Sequence, residues 1–249
     1  MKFNTNKSLI NYNPRPCADI NLICFANAGA GAPTFRPWTA TFGEDVDVWA
    51  AAYPGRDTLT GKDPVKTLAE VVEYYTADLS LFPDKGYVLY GHSFGALVAF
   101  ALALELQSVG RAPAALCVGA RHAPHLDAYE SIDWRNQTKL VEQLKKVGGM
   151  PDAILNDKDM LEYFLPHISN DLMLNEQGDS LVGQKVECPI YAFSSLTDQL
   201  VRPTDVVEWS QYTDESFEHT SFIGGHFFIS QKDNGFFDKL SEIIGKTMI

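Results

Sequence analysis

Apolar residues along this chain fall into two kinds of run. Short stretches of strand length, mostly apolar except for the last, occur at Ile20–Phe25, Val46–Ala51, Tyr87–Tyr90, Ala114–Val118, Pro189–Phe193 and Phe217–Ile223, most of them ending in Gly, Pro or other turn residues, which reads as six strands. Stripes at helical spacing lie between and after them. Leu68, Val71, Val72, Tyr75 and Leu79 form one stripe, with Thr67 and Glu70 at capping-box spacing, and Phe236, Phe237, Leu240, Ile243 and Ile244 form the last. Phe94 to Leu104 is apolar on nearly every face before Gly110, as expected of a helix packed behind a sheet and stopped by glycine. The alternation of strand and helix predicts an α/β protein with a mostly parallel, doubly wound sheet.

The rhythm breaks between Asp127 and Lys185. There Leu140, Val141, Leu144 and Val147, then Met160, Leu161, Phe164, Leu165 and Ile168, repeat at helical spacing with no strand run among them. A stretch this long without a strand predicts a helical cap, or lid, over about residues 127–185 rather than an ordinary crossover. Met160, Leu161, Phe164 and Leu165 are expected to divide between packing the cap and lining a binding site beneath it.

Composition narrows the class. The chain has 249 residues, 45% hydrophobic and 21% charged, enough for one sizeable core, so residues 1–249 read as a single domain. No apolar run approaches the ~18 residues of a membrane helix and the first sixteen residues are polar, so a cytoplasmic location with no membrane attachment is expected. A net charge of −12 argues against nucleic acid as the main partner. Cys17, Cys24, Cys117 and Cys188 lack C-x-x-C spacing and read as free thiols rather than disulfides or metal ligands. No metal is expected.

The candidate chemistry begins where the third run meets the apolar helix. Gly91-His92-Ser93-Phe94-Gly95 has the G-x-S-x-G form of a nucleophile elbow, a strand-turn-helix junction that projects a serine hydroxyl. A serine needs a general base within hydrogen-bond reach and an acid to fix that base's tautomer. In α/β-hydrolases the acid and then the histidine follow the serine along the chain, on loops after late strands. Asp198 and His226 fit this order. Asp205 and Asp171 compete for the acid, but Asp205 starts a helix after Pro203 and Asp171 lies in the cap. His92 adjoins the serine and points elsewhere, and His122, His125, His167 and His219 lack a late strand-end glycine turn. For the developing oxyanion, Phe94 offers its backbone N–H, and the Ala26–Gly31 loop after the first strand offers a second, from Ala28 rather than Asn27. That loop lacks the third glycine of a dinucleotide fingerprint.

Together these segments resemble the type II thioesterases that accompany polyketide and nonribosomal peptide synthetases. The resemblance is carried by Cys24-Phe25 with Ala28-Gly29, Phe35-Arg36-Pro37-Trp38, Tyr53-Pro54-Gly55-Arg56, Gly91 to Phe100, Arg121 with Ala123-Pro124-His125, Leu196 to Val201, and Gly224-Gly225-His226-Phe227-Phe228. It implies an α/β-hydrolase fold, a Ser93–His226–Asp198 triad, an oxyanion hole at Ala28 and Phe94, and a cap shaping an acyl groove. It also implies hydrolysis of acyl groups from the phosphopantetheine arms of acyl or peptidyl carrier proteins, by a monomer that needs no cofactor of its own. Ala26 and Asn27 stand where the family often has Pro and His, Ala30 replaces a usual glycine, and the second arginine often seen after Arg56 is absent; these differences bear on substrate preference. Four of the seven arginines, Arg36, Arg56, Arg121 and Arg202, fall in loops expected at the active edge, where they either meet an anionic partner or are simply solvated. The same triad would equally serve a carboxylesterase or lipase, and a non-catalytic binding module is the reading from another class.

Overall fold

Each apolar run pairs with its neighbours as a strand, and the runs' order in space decides where a ligand can sit. The computed structural model describes residues 8–77, 86–128, 132–231 and 233–248. The six runs become β2 (Ile20–Phe25), β3 (Val46–Ala51), β4 (Tyr87–His92), β5 (Ala115–Gly119), β6 (Ile190–Ser195) and β7 (Phe217–Phe222). All six are parallel, and a seventh strand, β1 (Leu9–Asn11), pairs antiparallel with β3 at one edge, giving the order β1-β3-β2-β4-β5-β6-β7. Three residues are too few to show a pattern, so β1 is not visible in the sequence. It is held by a tertiary contact: the Asn11 amide donates to Asp47 Oδ1 on β3 at 2.7 Å.

The helices follow from the stripes. In α1 (Leu68–Thr76) the Thr67 hydroxyl accepts from Glu70 N–H while the Glu70 carboxylate accepts from Thr67 N–H, closing the expected capping box. Leu79, the last residue of that predicted stripe, lies outside the described residues. In α2 (Phe94–Ser108) nearly every side chain through Leu106 is buried, because the helix lies against β4 and β5 and under α1. Each Leu or Phe buried in this way contributes about 1.5–3 kcal/mol. The chain closes with α7 (Phe236–Thr247), whose Phe236, Leu240, Ile243 and Ile244 face the core.

Between β5 and β6 the predicted cap forms as α3 (Gln137–Lys146), α4 (Asp152–Leu155) and α5 (Lys158–Asn175). Leu140, Leu144, Met150, Leu155, Leu165 and Ile168 build a small hydrophobic cluster separate from the main core. A short helix α6 (Pro203–Val207) follows β6, with Asp205 in its first turn.

The first two crossovers run in opposite directions across the sheet: β3 lies on one side of β2 and β4 on the other. Loops leaving the carboxyl ends of β2 and β4 therefore diverge and leave a crevice, the place where open α/β sheets bind ligands. Ala28 follows β2 and Ser93 follows β4, so the two loops that bound this crevice are the two singled out by their chemistry.

Candidate active site

Ser93 has φ 54° and ψ −118°, a strained conformation for a residue with a side chain, and the glycines around it explain how it is held. A Cβ built on Gly91 would lie 2.2 Å from the Gly95 carbonyl oxygen, and one on Gly95 would lie 2.1 Å from the Phe25 carbonyl oxygen. Strand and helix thus approach within backbone contact, which only glycine permits. Ser93 N–H donates to the Gly119 carbonyl at 2.7 Å, pinning the elbow to the adjacent β5.

The late loops bring Asp198 and His226 to this serine. Ser93 Oγ lies 2.9 Å from His226 Nε2, and His226 Nδ1 lies 2.9 Å from Asp198 Oδ2. The carboxylate can only accept, so Nδ1 carries the ring proton and Nε2 is left to take the hydroxyl proton of Ser93. Asp198 is fixed in turn, because its Oδ1 accepts from Leu200 N–H at 2.8 Å and Val201 N–H at 3.2 Å. The Asp198 and His226 side chains are 1% and 6% exposed. A further bond, Gly225 N–H to Thr197 Oγ1 at 3.0 Å, ties the two late turns together. Asp205 instead forms a two-pronged pair with Arg202, and Asp171 lies buried against Arg56; neither of these two rivals for the acid position contacts His226.

His92 is a functional neighbour that sequence reasoning passed over. Its ring is fully buried; Nε2–H donates to the His226 carbonyl at 2.8 Å, and Nδ1 accepts from the Tyr90 hydroxyl at 3.0 Å. The backbone of the predicted base is therefore held by the residue preceding the predicted nucleophile. Burial, with the nearby His226 adding to it, pushes the His92 imidazole down to about 3. Below the ordinary imidazole value of about 6.5 the unfolded chain binds a proton here that the folded chain refuses, so stability falls as pH falls from about 6.5 toward 4. His92→Gln keeps a donor for the His226 carbonyl and an acceptor for Tyr90. We predict that it flattens the stability–pH slope by an amount that grows through that window to about 1.4 kcal/mol per pH unit at its acid end, measured by denaturant titration at pH 7, 6 and 5. An unchanged slope would mean that His92 is protonated in the fold.

Phe94 opens α2, where the first N–H groups have no partner within the helix and favour negative charge. Ala28 lines the same small cavity as Ser93. The space beside Ser93 has two lobes. One, about 120 Å³, is bounded by Ala120, Ile132, Trp134, Leu172, Asn175 and Val201; the other, about 50 Å³, by Ala28, Leu144, Val147, Ile168 and Phe227. Ser93, His226, Ile132, Leu172 and Leu200 border both. Val147 and Leu200 also border a small pocket of about 20 Å³ beside Lys146 and Gln199. A larger groove of about 540 Å³ lies between α1 and α2, away from all three triad candidates, and is not the site suggested by the chemistry.

Two sets of expected binding residues are placed differently. Arg56 and Arg121 are 4% exposed and clamp the cap, and Arg121 also borders the larger lobe beside Ser93. Arg56 Nη1 donates to Asp171 Oδ2 at 2.6 Å, and Arg121 Nη1 donates to Asn175 Oδ1, both acceptors on one face of α5. Their partners are 115 and 54 positions away, beyond any local pattern. Arg36 and Arg202 are exposed; Arg36 lies over the Tyr12 ring and Arg202 holds Asp205. Of the cap residues, Met160 is 48% exposed, Leu165 is buried in the cap's cluster, and Leu161 and Phe164 pack against that cluster. None of the four lines either lobe. That role falls one to two turns further along α5, to Ile168 and Leu172. All four cysteines are free, three of them buried.

Comparison with known proteins places this geometry. A family model described as a thioesterase domain matches residues 20–248. The gramicidin S biosynthesis protein GrsT of Aneurinibacillus migulanus is 28% identical over 226 residues, spanning 90% of this chain and 88% of that one. Among solved structures, the thioesterase RedJ from the prodiginine pathway of Streptomyces coelicolor superposes with a TM-score of 0.84 at 31% identity, over 94% of this chain and 92% of that one. The type II thioesterase BorB from the borrelidin biosynthetic cluster does so with a TM-score of 0.85 at 29% identity, over the whole of both chains. With the elbow, the parallel sheet and a family match spanning β2 to the end of α7, the chain belongs to the thioesterase family.

Proposed function

We propose that this protein hydrolyses acyl thioesters carried on the phosphopantetheine arms of acyl or peptidyl carrier proteins in polyketide or nonribosomal peptide biosynthesis, through an acyl-enzyme on Ser93. The observation that carries the reading is the Ser93–His226–Asp198 relay, at 2.9 Å in both links, opening into a cavity under a cap in a chain of the thioesterase family.

In this reading His226 Nε2 takes the Ser93 proton as Oγ attacks the thioester carbonyl, and the Phe94 and Ala28 N–H groups hold the oxyanion. Collapse of the intermediate breaks the C–S bond. A thiol with pKa near ~8.5 needs little acid assistance to leave, and the proton that His226 took from Ser93 passes to the departing sulfur, which leaves the imidazole neutral for the next step. A water molecule, deprotonated by His226, then releases the acid and restores Ser93. Asp198 holds the imidazolium that forms in both steps. No cofactor is required, and the protein works as a cytoplasmic monomer.

The two lobes separate the substrate's two ends. The acyl chain occupies the lobe beneath Trp134 and Leu172, and the arm reaches Ser93 past Val147 and Leu200, beside the Lys146 ammonium. Of the arginines, Arg36 and Arg202 are the exposed ones, Arg202 while paired with Asp205, and these two face the arm's phosphate or an acidic carrier surface in this reading.

The test compares kcat/KM for one acyl group presented on a carrier protein, on a short soluble thiol and as an ethyl ester. Carrier-bound thioester should be preferred, with the preference falling as salt rises, because exposed charges are screened over ~8–10 Å at physiological ionic strength. Arg36→Glu with Arg202→Glu should raise KM for the carrier substrate alone. Equal kcat/KM for the carrier thioester and the ethyl ester, unaffected by the reversals, would favour a plain esterase.

A further inference from the structure

The loop that carries Ala28 is fastened at several polar atoms, and one fastening comes from the cap. Ala30 N–H donates to the Asn27 carbonyl at 3.0 Å, closing a turn with Ala28 and Gly29 at its corner. Gly29 has φ +78°, the left-handed conformation that the second corner of such a turn demands. The peptide joining Ala28 to Gly29 is held at both ends: its carbonyl accepts from the Asn27 amide at 3.2 Å, and its N–H donates to Asp171 Oδ2 at 2.8 Å. Asp171 belongs to α5, 142 residues further along the chain.

The carboxylate is itself fixed. The same oxygen accepts from Arg56 Nη1 at 2.6 Å, with both side chains 5% exposed. The Arg56 guanidinium lies over the Tyr53 ring, 4.3 Å from its centroid, and the Tyr53 hydroxyl donates to the Ala26 carbonyl at 3.3 Å. Ile168, one turn before Asp171, presses on the same turn: a Cβ on Gly29 would lie 2.1 Å from Ile168 Cγ1. The loop after β2 is thus gripped from one side by the Tyr53–Arg56 turn and from the other by α5.

We infer that Asp171 is a positioning residue for the oxyanion hole: by holding the Ala28–Gly29 peptide plane it sets the direction of the adjoining Ala28 N–H, so this donor is correctly aimed only when α5 is docked. The inference rests on Ala28 as the second oxyanion donor. It makes the cap part of the transition-state machinery as well as a cover, and explains why an expensive buried ion pair is placed here rather than an apolar contact.

The test uses Asp171→Asn in the full chain. The amide loses the charge that orders Gly29 N–H and Arg56 around one oxygen, and the loop is then free to rotate its peptide. Loss of one oxyanion donor typically costs ~10²–10³ in turnover, so misaiming one should lower kcat about 10- to 100-fold while KM stays within about twofold. The decisive readout is binding of an acyl trifluoromethyl ketone. Ser93 Oγ adds to its carbonyl carbon, the proton passes to His226, and the carbonyl oxygen becomes an oxyanion, so affinity should fall in parallel with kcat/KM. A non-reactive amide analogue, which forms no oxyanion, should bind Asp171→Asn and the parent protein alike. If Asp171→Asn does not accumulate as folded protein, Asp171→Glu provides the same comparison, with the carboxylate displaced by one methylene.

Unchanged kcat and ketone affinity in the Asp171 variants, with only the melting temperature lowered, would overturn the inference and leave the pair as a staple between cap and body. Because the ketone adduct forms without turnover, a protein that bound the ketone but hydrolysed no thioester would contradict the functional reading, while the Asp171 comparison would still decide this inference.

Discussion

Ser93→Ala is expected to reduce thioester hydrolysis to near the uncatalysed rate, a loss on the order of 10⁶ in kcat, because in serine triads the other members act through the hydroxyl. The fold should be untouched. Ser93 contributes no side-chain cap to α2, and the contacts that hold the elbow are backbone ones, the Gly91–Gly95 approach and the Ser93 N–H bond to Gly119. Alanine keeps all of these. Turnover of a short acyl thioester, measured beside circular dichroism and the melting temperature, separates the two effects. Retention of more than about 1% of the parent kcat, against the loss expected of a triad serine, would remove Ser93 from the nucleophile's role.

The second large effect is expected from Asp198→Asn, and the geometry isolates its cause. Asp198 Oδ1 accepts two backbone N–H groups, from Leu200 and Val201, while Oδ2 faces His226 Nδ1. An asparagine keeps those backbone bonds by placing its carbonyl oxygen there, which turns its NH₂ toward His226. The imidazole must then accept at Nδ1 and carry its proton on Nε2, where it cannot receive the Ser93 proton. Such a tautomer exchange costs ~10⁴ in kcat in a comparable triad. KM and the melting temperature should change little. Asp205→Asn is the control: it breaks the pair with Arg202 without touching His226, so its kcat should stay close to that of the parent. A larger loss in Asp205→Asn than in Asp198→Asn would reassign the acid.

What could be read from the sequence followed from local pattern and chain order. Strands such as Ile20–Phe25 and Ile190–Ser195 are legible because a strand buried in a parallel sheet is a largely apolar run between turn residues. That Ser93, His226 and Asp198 meet is legible because the elbow dictates its own glycines and the fold dictates the order of the other two. The cap was legible as an interruption of rhythm, but not its inner face. A wide apolar stripe does not say which of its residues turn toward the neighbouring helices, so Leu161, Phe164 and Leu165 went to the cap's own cluster and Leu172 to the cavity.

The arginines illustrate a different limit. Arg56 and Arg121 sit in loops at the active edge, yet both are buried because α5 supplies Asp171 and Asn175 to receive them. Their identity as clamps depends on residues far away in sequence, and a guanidinium in a loop looks the same whether it awaits a phosphate or already holds a carboxylate. Adjacency to Ser93 keeps the His92 ring from serving as its base. Its role in holding the His226 carbonyl needs the fold, since the two are 134 positions apart.

The most direct test of the account is to trap the covalent intermediate. The protein is mixed with an acyl-carrier thioester, quenched in acid within milliseconds to seconds, digested and read by mass spectrometry. The account predicts a transient acyl adduct on the peptide containing Ser93. It should form at least as fast as kcat, decay to free acid, and be absent from Ser93→Ala. Free acid appearing at the full rate with no adduct at Ser93, or with the adduct on another residue, would contradict it.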